Sequence, residues 1–335
     1  MRDGTGIAGP WQPRGTMTIK GPVLAKAARA FAKRTRPSRK CAPSLRVSKT
    51  TTLEVAAGHP EWLAAGEPPS EAHSKGRHID MTTISRLLLA GALALAATTF
   101  PALAQVKNIV LVHGAWVDAS GWKAIDHILA REGFNVTMVQ EPETSFADDV
   151  AAAKRVLDMQ DGPTLLVGHS YGGSIITEAG VHPSVVGLVY VAAHAPDVGE
   201  DEAALGKKTP SVLAKTHGAI KVTPDSFTYL DPVLFPKLFA PDLPREEAEF
   251  AARSQVLAAA KVFSTPLTAA AWKTKPSWGI VAGNDQIINP ELERFYYERA
   301  KSDWIEIPGA SHSVYVSHPE QVAAVITKAA RSVGE

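Results

Sequence analysis

Six apolar runs of strand length alternate with amphipathic segments from residue 106 onward, and this alternation constrains the fold more than any other feature. The runs are almost continuously apolar, as expected for strands that are covered on both faces. Strands and helices in regular alternation are typical of a parallel sheet with helices on both sides. The predicted strands are VKNIVLV (106–112), FNVTMV (134–139), TLLV (164–167), VVGLVYVAA (185–193), SWGIVA (277–282) and SDWIEI (302–307). The sequence therefore predicts an α/β protein with a doubly wound, mostly parallel sheet of about six strands.

One interval, residues 197–275, interrupts this alternation. It is rich in Pro, Ala and charged residues and shows helical periodicity only. We expect it to form an inserted helical cap over the carboxyl-terminal edge of the sheet. Its large apolar side chains either face a substrate or dock the cap onto the sheet, and the sequence leaves both interpretations open. They are Phe227, Tyr229, Leu230, Phe235, Leu238, Phe239 and Trp272.

Residues 81–104 contain the three regions of a secretory signal peptide in the expected order. Arg86 supplies a basic start, an apolar run of 14 residues follows at 87–100, and Ala102-x-Ala104 forms a small-residue exit. A membrane-spanning helix needs about 20 apolar residues, so this run is too short for a stable membrane anchor. We expect cleavage after Ala104 and a periplasmic or secreted protein. The alternative is a buried Ala/Leu helix of the fold.

The segments on either side of this peptide differ in charge. Residues 1–80 hold 14 basic and 6 acidic side chains and little apolar periodicity. We expect them to be disordered or a mis-annotated upstream segment, with Met81 as the true start; a translated basic tail or a transit segment is the alternative. Residues 105–335, the predicted catalytic domain, hold 28 acidic and 20 basic side chains, which argues against nucleic-acid binding. Cys41, the single cysteine, lies outside that domain, so the domain has no internal disulfide.

A Gly-x-Ser-x-Gly sequence follows the third predicted strand. It reads Gly168-His169-Ser170-Tyr171-Gly172 and leads into a helix of small residues. This pattern is typical of a nucleophile elbow, in which a strained turn between strand and helix exposes the serine hydroxyl. A glycine-rich turn with a structural serine is the alternative, but the flanking strand and helix favour the elbow.

A serine hydroxyl becomes a useful nucleophile only when a base and an orienting acid assist it. In elbow-containing proteins the acid and then the histidine follow the serine along the chain. Asp285 follows the fifth predicted strand and His312 follows the sixth, so both leave the same sheet edge as the serine. We predict His312 as the general base and Asp285 as its carboxylate partner. Asp197 is the competing acid and His318 the competing base, whereas His169 is expected to be packed rather than catalytic.

The oxyanion that forms during acyl transfer needs at least two N–H donors. The backbone of Tyr171, directly after the serine, is one expected donor. The other is expected from the loop after the first strand, where we choose the N–H of Ala115 over that of Trp116. We also expect Trp116, His113 and Gly114 to contact the substrate. No metal-ligand spacing and no nucleotide-binding loop is present, so we expect no cofactor.

Four motifs together resemble the α/β-hydrolase fold family, and the resemblance covers residues 106–333. The motifs are LVHGAW (111–116), LVGHSYGG (166–173), AGNDQII (282–288) and PGASHSVYVSHPEQV (308–322). Within this family the chain is similar to the compact esterase and hydroxynitrile-lyase branch. The resemblance implies a catalytic triad of Ser170, His312 and Asp285, with oxyanion donors at Ala115 and Tyr171.

Two departures from the lyase pattern favour ester hydrolysis. Plant lyases of this branch have threonine where this chain has Gly114, and lysine where it has Ser313. We therefore expect a serine hydrolase, a carboxylesterase, that cleaves small, partly apolar esters through an acyl-enzyme. The alternatives are a lyase or perhydrolase that uses the same triad, a ligand-binding sensor with very low turnover, and an amidase.

Overall fold

The computed structural model describes residues 105–333. The segments predicted as an upstream tail (1–80) and as a signal peptide (81–104) lie outside the described residues. Within the described part of the chain, no helix is long and apolar enough to cross a membrane.

Residues 105–333 contain nine strands, and six of them form one parallel sheet, as the apolar runs predict. The strands are β1 (Asn108–Val112), β2 (Asn135–Met138), β3 (Thr164–His169), β4 (Val185–Val191), β5 (Ile220–Val222), β6 (Phe227–Leu230), β7 (Ala258–Ala259), β8 (Ser277–Ala282) and β9 (Asp303–Ile307). The main sheet has the order β2-β1-β3-β4-β8-β9, and every neighbouring pair in it is parallel. The predicted fold class, a doubly wound parallel sheet of about six strands, is confirmed.

Helices cover both faces of this sheet. They are α1 (Lys123–Arg131), α2 (Phe146–Leu157), α3 (Gly172–Ala179), α4 (Glu202–Lys208), α5 (Val212–Lys215), α6 (Phe235–Leu238), α7 (Arg245–Arg253), α8 (Pro290–Ala300), α9 (Val314–Ser317) and α10 (Pro319–Ser332). Successive residues of a strand point to opposite faces, so Val110 and Leu111 of β1 belong to two different core clusters. Residues of α2, α3 and α8 join the first cluster, and residues of α1 and α10 join the second.

The segment between β4 and β8 differs in part from the predicted helical cap. It holds the four short helices α4 to α7, but β5, β6 and β7 also form a separate antiparallel sheet of three strands. The expectation of helical structure alone was wrong. Each of these strands is two to four residues long, which is too short to produce a recognisable apolar alternation.

Candidate active site

Ser170 occupies a strained turn between β3 and α3. Its φ is +53°, in the left-handed region that costs a non-glycine residue about 1–2 kcal/mol. The glycines on either side are required by close backbone contacts. A Cβ at Gly168 would lie 2.6 Å from the carbonyl oxygen of Gly172, and one at Gly172 would lie 2.3 Å from that of His113. The predicted elbow is therefore present, with Ser170 at its tip.

The structure brings Ser170, His312 and Asp285 together. The Oγ atom of Ser170 lies 2.8 Å from Nε2 of His312, and Nδ1 of His312 lies 2.5 Å from Oδ2 of Asp285. The other carboxylate oxygen, Oδ1, accepts the N–H groups of Ile287 at 2.7 Å and Ile288 at 2.9 Å. With its second oxygen fixed by the backbone, Asp285 presents Oδ2 to the imidazole. This arrangement lets Nδ1–H donate to the carboxylate while Nε2 accepts the hydroxyl proton of Ser170.

The competing candidates lie elsewhere. The carboxylate of Asp197 pairs with Nζ of Lys273 at 2.6 Å. His318 precedes α10, with its Nδ1 2.8 Å from the hydroxyl of Ser317. His169 is fully buried, as expected for a packed residue, and its Nε2–H donates to the backbone carbonyl of His312 at 2.9 Å. His169 thus supports the loop that carries His312 without contacting the serine hydroxyl through its ring nitrogens.

A second buried carboxyl group, Glu293 on α8, lies behind Asp285. Its Oε2 accepts the N–H of Ala282 at 3.1 Å, and its side chain is fully buried. Burial, followed by the nearby charge of Asp285, raises the pKa of Glu293 well above its usual value. The raised pKa favours the neutral form of Glu293.

The two N–H groups predicted to bind the oxyanion are available. Within the described residues, the backbone N–H groups of Ala115 and Tyr171 donate to no protein acceptor. The loop that carries Ala115 lies directly against the elbow, since a Cβ on Gly114 would be 2.7 Å from the Cβ of Ser170. Trp116, the alternative donor, is already engaged, because its N–H donates to Oε2 of Glu143 at 3.2 Å.

Hydrogen bonds fix both peptide groups that flank Ala115. Nδ1–H of His113 donates to the carbonyl of Gly114 at 2.9 Å, and Glu143 accepts the N–H of Trp116. In a trans peptide the C=O and N–H point in opposite directions, so fixing the Gly114 carbonyl also orients the N–H of Ala115. His113 was predicted to contact the substrate, and this was wrong. Its side chain is fully buried beneath the loop, where the imidazole supports the backbone instead.

Three acidic side chains surround His113 beneath this loop, and sequence reasoning missed them. Oε2 of Glu141 lies 2.6 Å from Nε2 of His113, and Asp149 accepts the N–H of Glu143 at 2.8 Å. The second oxygen of Asp149 accepts the hydroxyl of Tyr171 at 2.7 Å. The cluster therefore contacts both segments that carry the predicted oxyanion donors, the loop at Ala115 and the residue after the serine. We call His113, Glu141, Glu143 and Asp149 the buried acid cluster.

Burial and mutual charge control the protonation of this cluster. Burial lowers the pKa of His113, but the charge and hydrogen bond of Glu141 outweigh it and raise the pKa to about 9. Burial raises the pKa of Glu141 to about 7 against the opposing effect of His113. It also raises the pKa values of Glu143 and Asp149. His113 is thus the cation of the cluster at neutral pH.

A cavity of about 590 Å³ opens onto Ser170. Trp116 lines it, as predicted, and its indole N–H donates to the hydroxyl of Thr228 on β6 at 3.1 Å. Most of the wall is apolar and is formed by Leu213, Ile220, Phe263, Ile287, Ile288 and Leu292. None of the large apolar side chains that the sequence singled out in the insert lines this cavity. Five of them join the first core cluster, namely Leu230, Phe235, Leu238, Phe239 and Trp272, and Phe239 places its ring edge-on against that of His312.

Glu202 and His194 are two polar residues of the cavity wall with strongly altered pKa values, and the sequence did not single them out for this role. Burial raises the pKa of Glu202 to about 8. Burial, followed by the charge of His312, lowers the pKa of His194 to about 3. Both side chains are thus mainly uncharged at neutral pH. No group of His, Cys, Asp or Glu suited to hold a metal ion occurs within residues 105–333.

Comparisons with known proteins agree with this architecture. A curated relative, norfluorocurarine synthase 2 from a Strychnos species, is 26% identical over 269 residues, which cover 68% of this chain and 97% of the relative. Among solved structures, a pyrethroid hydrolase from Sphingobium faniae JZ-2 has a TM-score of 0.58 at 23% identity, covering 67% of this chain and 97% of its own. The methylesterase MES16 from Arabidopsis has a TM-score of 0.54 at 20% identity, covering 67% and 98%.

The family model of the alpha/beta hydrolase family matches residues 109–325. This range begins in β1, includes the elbow at Ser170 and the loop of His312, and ends in α10. With more than half of the sequence matched and the same fold in both solved structures, the chain belongs to the α/β-hydrolase family.

Proposed function

We propose that this protein is a serine carboxylesterase that acts on small, partly apolar esters. The observation that carries the proposal is the contact of Ser170 Oγ with His312 Nε2 at 2.8 Å, with Asp285 on the opposite ring nitrogen. The apolar cavity next to the serine supports a substrate of modest size. Two proteins of similar structure are named as a pyrethroid hydrolase and a methylesterase, which is consistent with ester cleavage.

In the proposed reaction, Ser170 Oγ attacks the ester carbonyl carbon while His312 Nε2 takes the hydroxyl proton. The negative charge that develops on the carbonyl oxygen is stabilised by the N–H groups of Ala115 and Tyr171. Collapse of the tetrahedral intermediate breaks the C–O bond to the alcohol, which leaves with the proton from His312. Water, activated by the same histidine, then hydrolyses the acyl-enzyme and restores the serine.

Cyanohydrin cleavage by the same triad is the second candidate, and the residue after the histidine disfavours it. Ser313 is buried, and its hydroxyl donates to the carbonyl of Phe239 at 3.0 Å. A neutral hydroxyl at this position supplies no cation to stabilise a leaving cyanide. Activity on mandelonitrile without activity on esters would favour the lyase instead. A perhydrolase would require peroxide as the acyl acceptor, and this choice is testable in the same assay.

The test is a panel of esters and amides that differ in acyl length, run on the wild type and on Ser170→Ala. We expect multiple turnovers of p-nitrophenyl acetate, rapid labelling of the wild type by a fluorophosphonate, and no labelling of the variant. The variant should lose about 10⁴-fold or more in kcat, since the base then has no nucleophile to activate. Labelling of the wild type without turnover would favour a sensor, and an unchanged rate in Ser170→Ala would refute the proposal.

We also propose that the protein is exported, with cleavage after Ala104. Cleavage there would leave Gln105 as the first residue, three positions before β1 begins at Asn108. N-terminal sequencing of the protein from the periplasm or medium should return Gln105. Recovery of a chain that starts near residue 1 would contradict both the export proposal and the proposed start at Met81.

A further inference from the structure

Glu202 carries a buried carboxyl group in the cavity wall that the proposed mechanism does not use. Glu202 is the first residue of α4, it is 7% exposed, and it lines the same cavity as Ser170. Its Oε1 accepts the hydroxyl of Ser174 at 2.5 Å. Its Oε2 makes no hydrogen bond to any described residue and lies 3.5 Å from Nε2 of His194, which is too long for a good hydrogen bond.

Both neighbours of this carboxyl group lie close to the nucleophile. Ser174 follows Ser170 by four residues and lies in the first turn of α3. The backbone N–H of His194 donates to the carbonyl of Ser170 at 3.2 Å. Glu202 therefore contacts two residues of the segments that hold the nucleophile, and it lines the cavity that opens onto Ser170.

The free oxygen of Glu202 is suited to donate a hydrogen bond. Because Oε1 is occupied as an acceptor, the proton of the neutral carboxylic acid belongs on Oε2. Burial keeps this group protonated up to a pH of about 8, and no positively charged side chain pairs with it. An O–H donor on an apolar wall is costly to leave unpaired and favours an acceptor on the ligand.

We propose that Glu202 forms a subsite for a neutral oxygen acceptor, such as an ether, hydroxyl or carbonyl oxygen, that the ester substrate carries near the scissile bond. This inference depends on the proposed esterase function and specifies its substrate class. The esters preferred by this enzyme thus combine apolar groups with one additional oxygen. His194 forms the other side of the subsite and keeps the carboxyl group away from bulk water.

Other titratable groups around Glu202 do not mask its behaviour. They are His194 after β4, Tyr171 at the elbow, Tyr296 on α8, and Asp201 and Lys207 on either side of it along the chain. Burial keeps His194 neutral and raises the pKa values of both tyrosines. Asp201 remains close enough for its charge to contribute to the raised pKa of Glu202.

The test compares matched esters in which an ether oxygen replaces one methylene group. Two pairs vary the acyl group of a p-nitrophenyl ester: methoxyacetate is compared with butanoate, and β-methoxypropionate with valerate. A third pair varies the alcohol and compares methoxyethyl acetate with butyl acetate. The readout is kcat/KM for the ether ester divided by kcat/KM for its alkyl partner. This ratio is then divided by the ratio of the two rate constants for alkaline hydrolysis without enzyme. Any pH dependence that both members of a pair share cancels in this ratio.

In the wild type, at least one pair should favour the ether by about tenfold below pH 8. This preference should fall as the pH rises through the pKa of Glu202, because the ionised carboxylate has no proton to donate. Glu202→Gln keeps an N–H donor at all pH values, so it should retain the preference and lose its pH dependence. Glu202→Leu should abolish the preference at every pH. Asp201→Asn removes a nearby negative charge while remaining a good helix cap, so it should keep the preference and move its midpoint to lower pH.

Two outcomes would overturn the subsite. One is turnover of all esters with no ether preference in any pair, or with a preference that the Glu202 variants do not change. The other is a preference that increases with pH, which is the sign expected for a carboxylate that binds a cation. If the wild type hydrolyses none of the esters, the esterase function itself fails, so the two proposals are distinguished by the same experiment.

Discussion

Gly114 shows how closely the oxyanion loop approaches the nucleophile. A Cβ at this position would lie 2.7 Å from the Cβ of Ser170 and 2.9 Å from Nδ1 of His169. Neither atom is the end of a flexible side chain, so the loop itself has to move. The contact explains why the position after His113 is a glycine. Because Gly114 has no Cβ, the loop can lie against the elbow and place the N–H of Ala115 there.

We predict that Gly114→Ala lowers kcat about 10²–10³-fold with little change in KM, since the displaced loop removes one oxyanion donor. Steady-state kinetics, normalised to sites labelled by a fluorophosphonate, measure the effect. Gly162→Ala is the matched control, because the nearest atom to its Cβ would be 3.8 Å away and the backbone is unstrained. A wild-type kcat in Gly114→Ala would show that the loop does not supply a donor.

Asp149 gives a second residue-scale prediction. It accepts the hydroxyl of Tyr171 and the backbone N–H of Glu143, whereas Tyr171→Phe removes only the first of these bonds. We expect Tyr171→Phe to lower kcat about tenfold, and Asp149→Ala to lower it further because both oxyanion elements lose support. Asp149→Asn keeps an acceptor for Glu143 and should fall between them. Equal kcat values for all three variants, per labelled site, would contradict this order.

The sequence predicted the three side chains that meet in the site, Ser170, His312 and Asp285, but not the residues that support them. Asp285 and His312 were identifiable because each directly follows a strand of one parallel sheet, and such strand ends share an edge. Glu141 and Glu143 also follow a strand, β2, so their position was a usable signal. The direction of their side chains could not be predicted, since only the folded loop shows that they point beneath Ala115. The place of Glu202 in the cavity wall was still harder to predict from the sequence, because Glu202 lies in the insert.

At the scale of elements, the strength of the local pattern decided what could be predicted. All six long apolar runs became strands, and Ser145 caps α2 by accepting the N–H of Asp148. The sheet of the insert was missed because β7 has only two residues and pairs with β6 from a distance along the chain. Long-range pairing of such short strands leaves no periodic signal in the sequence.

Arg299 on α8 joins the two ends of the insert. Its guanidinium donates to Glu200 and to the carbonyl of Ala195 near the start of the insert, both at 2.9 Å. The guanidinium also lies 5.3 Å from the ring centroid of Trp272, which is near the end of the insert. The indole N–H of Trp272 in turn donates to the carbonyl of Pro196. One side chain of the main domain thus contacts both connections to the insert.

We predict that Arg299→Met destabilises the protein by about 1–3 kcal/mol, because the aliphatic chain is kept but the hydrogen bonds and cation–π contact are lost. KM should rise more than kcat falls, since the insert forms much of the cavity wall while the triad lies outside it. Arg253→Met on α7 is the control, an arginine for which the structure shows no ion pair. Chemical denaturation and ester kinetics measure both effects. An unchanged KM would show that Arg299 does not position the insert.

For the molecule as a whole, buried acids determine how stability responds to pH. Burial raises the pKa values of Glu141, Glu143, Asp149, Glu202 and Glu293 in the folded state. An unfolded glutamate titrates near pH 4.3, so above that pH the unfolded chain releases protons that the folded protein retains. The stability associated with these groups is present at low pH and is lost as the pH rises through their folded pKa values. The free energy of unfolding should therefore decline toward alkaline pH.

Glu293→Gln isolates one of these groups, because glutamine keeps an acceptor for the N–H of Ala282 but cannot ionise. Relative to the wild type, the variant should gain stability as the pH rises above 4.3, by about 1.4 kcal/mol per pH unit until Glu293 ionises in the folded state. Urea unfolding between pH 5 and 9 measures the difference in the free energy of unfolding. Glu298→Gln, an exposed position on the same helix, should leave the pH dependence of the wild type unchanged. Parallel curves for Glu293→Gln and the wild type would mean that Glu293 is already ionised in the folded protein, so that burial does not raise its pKa.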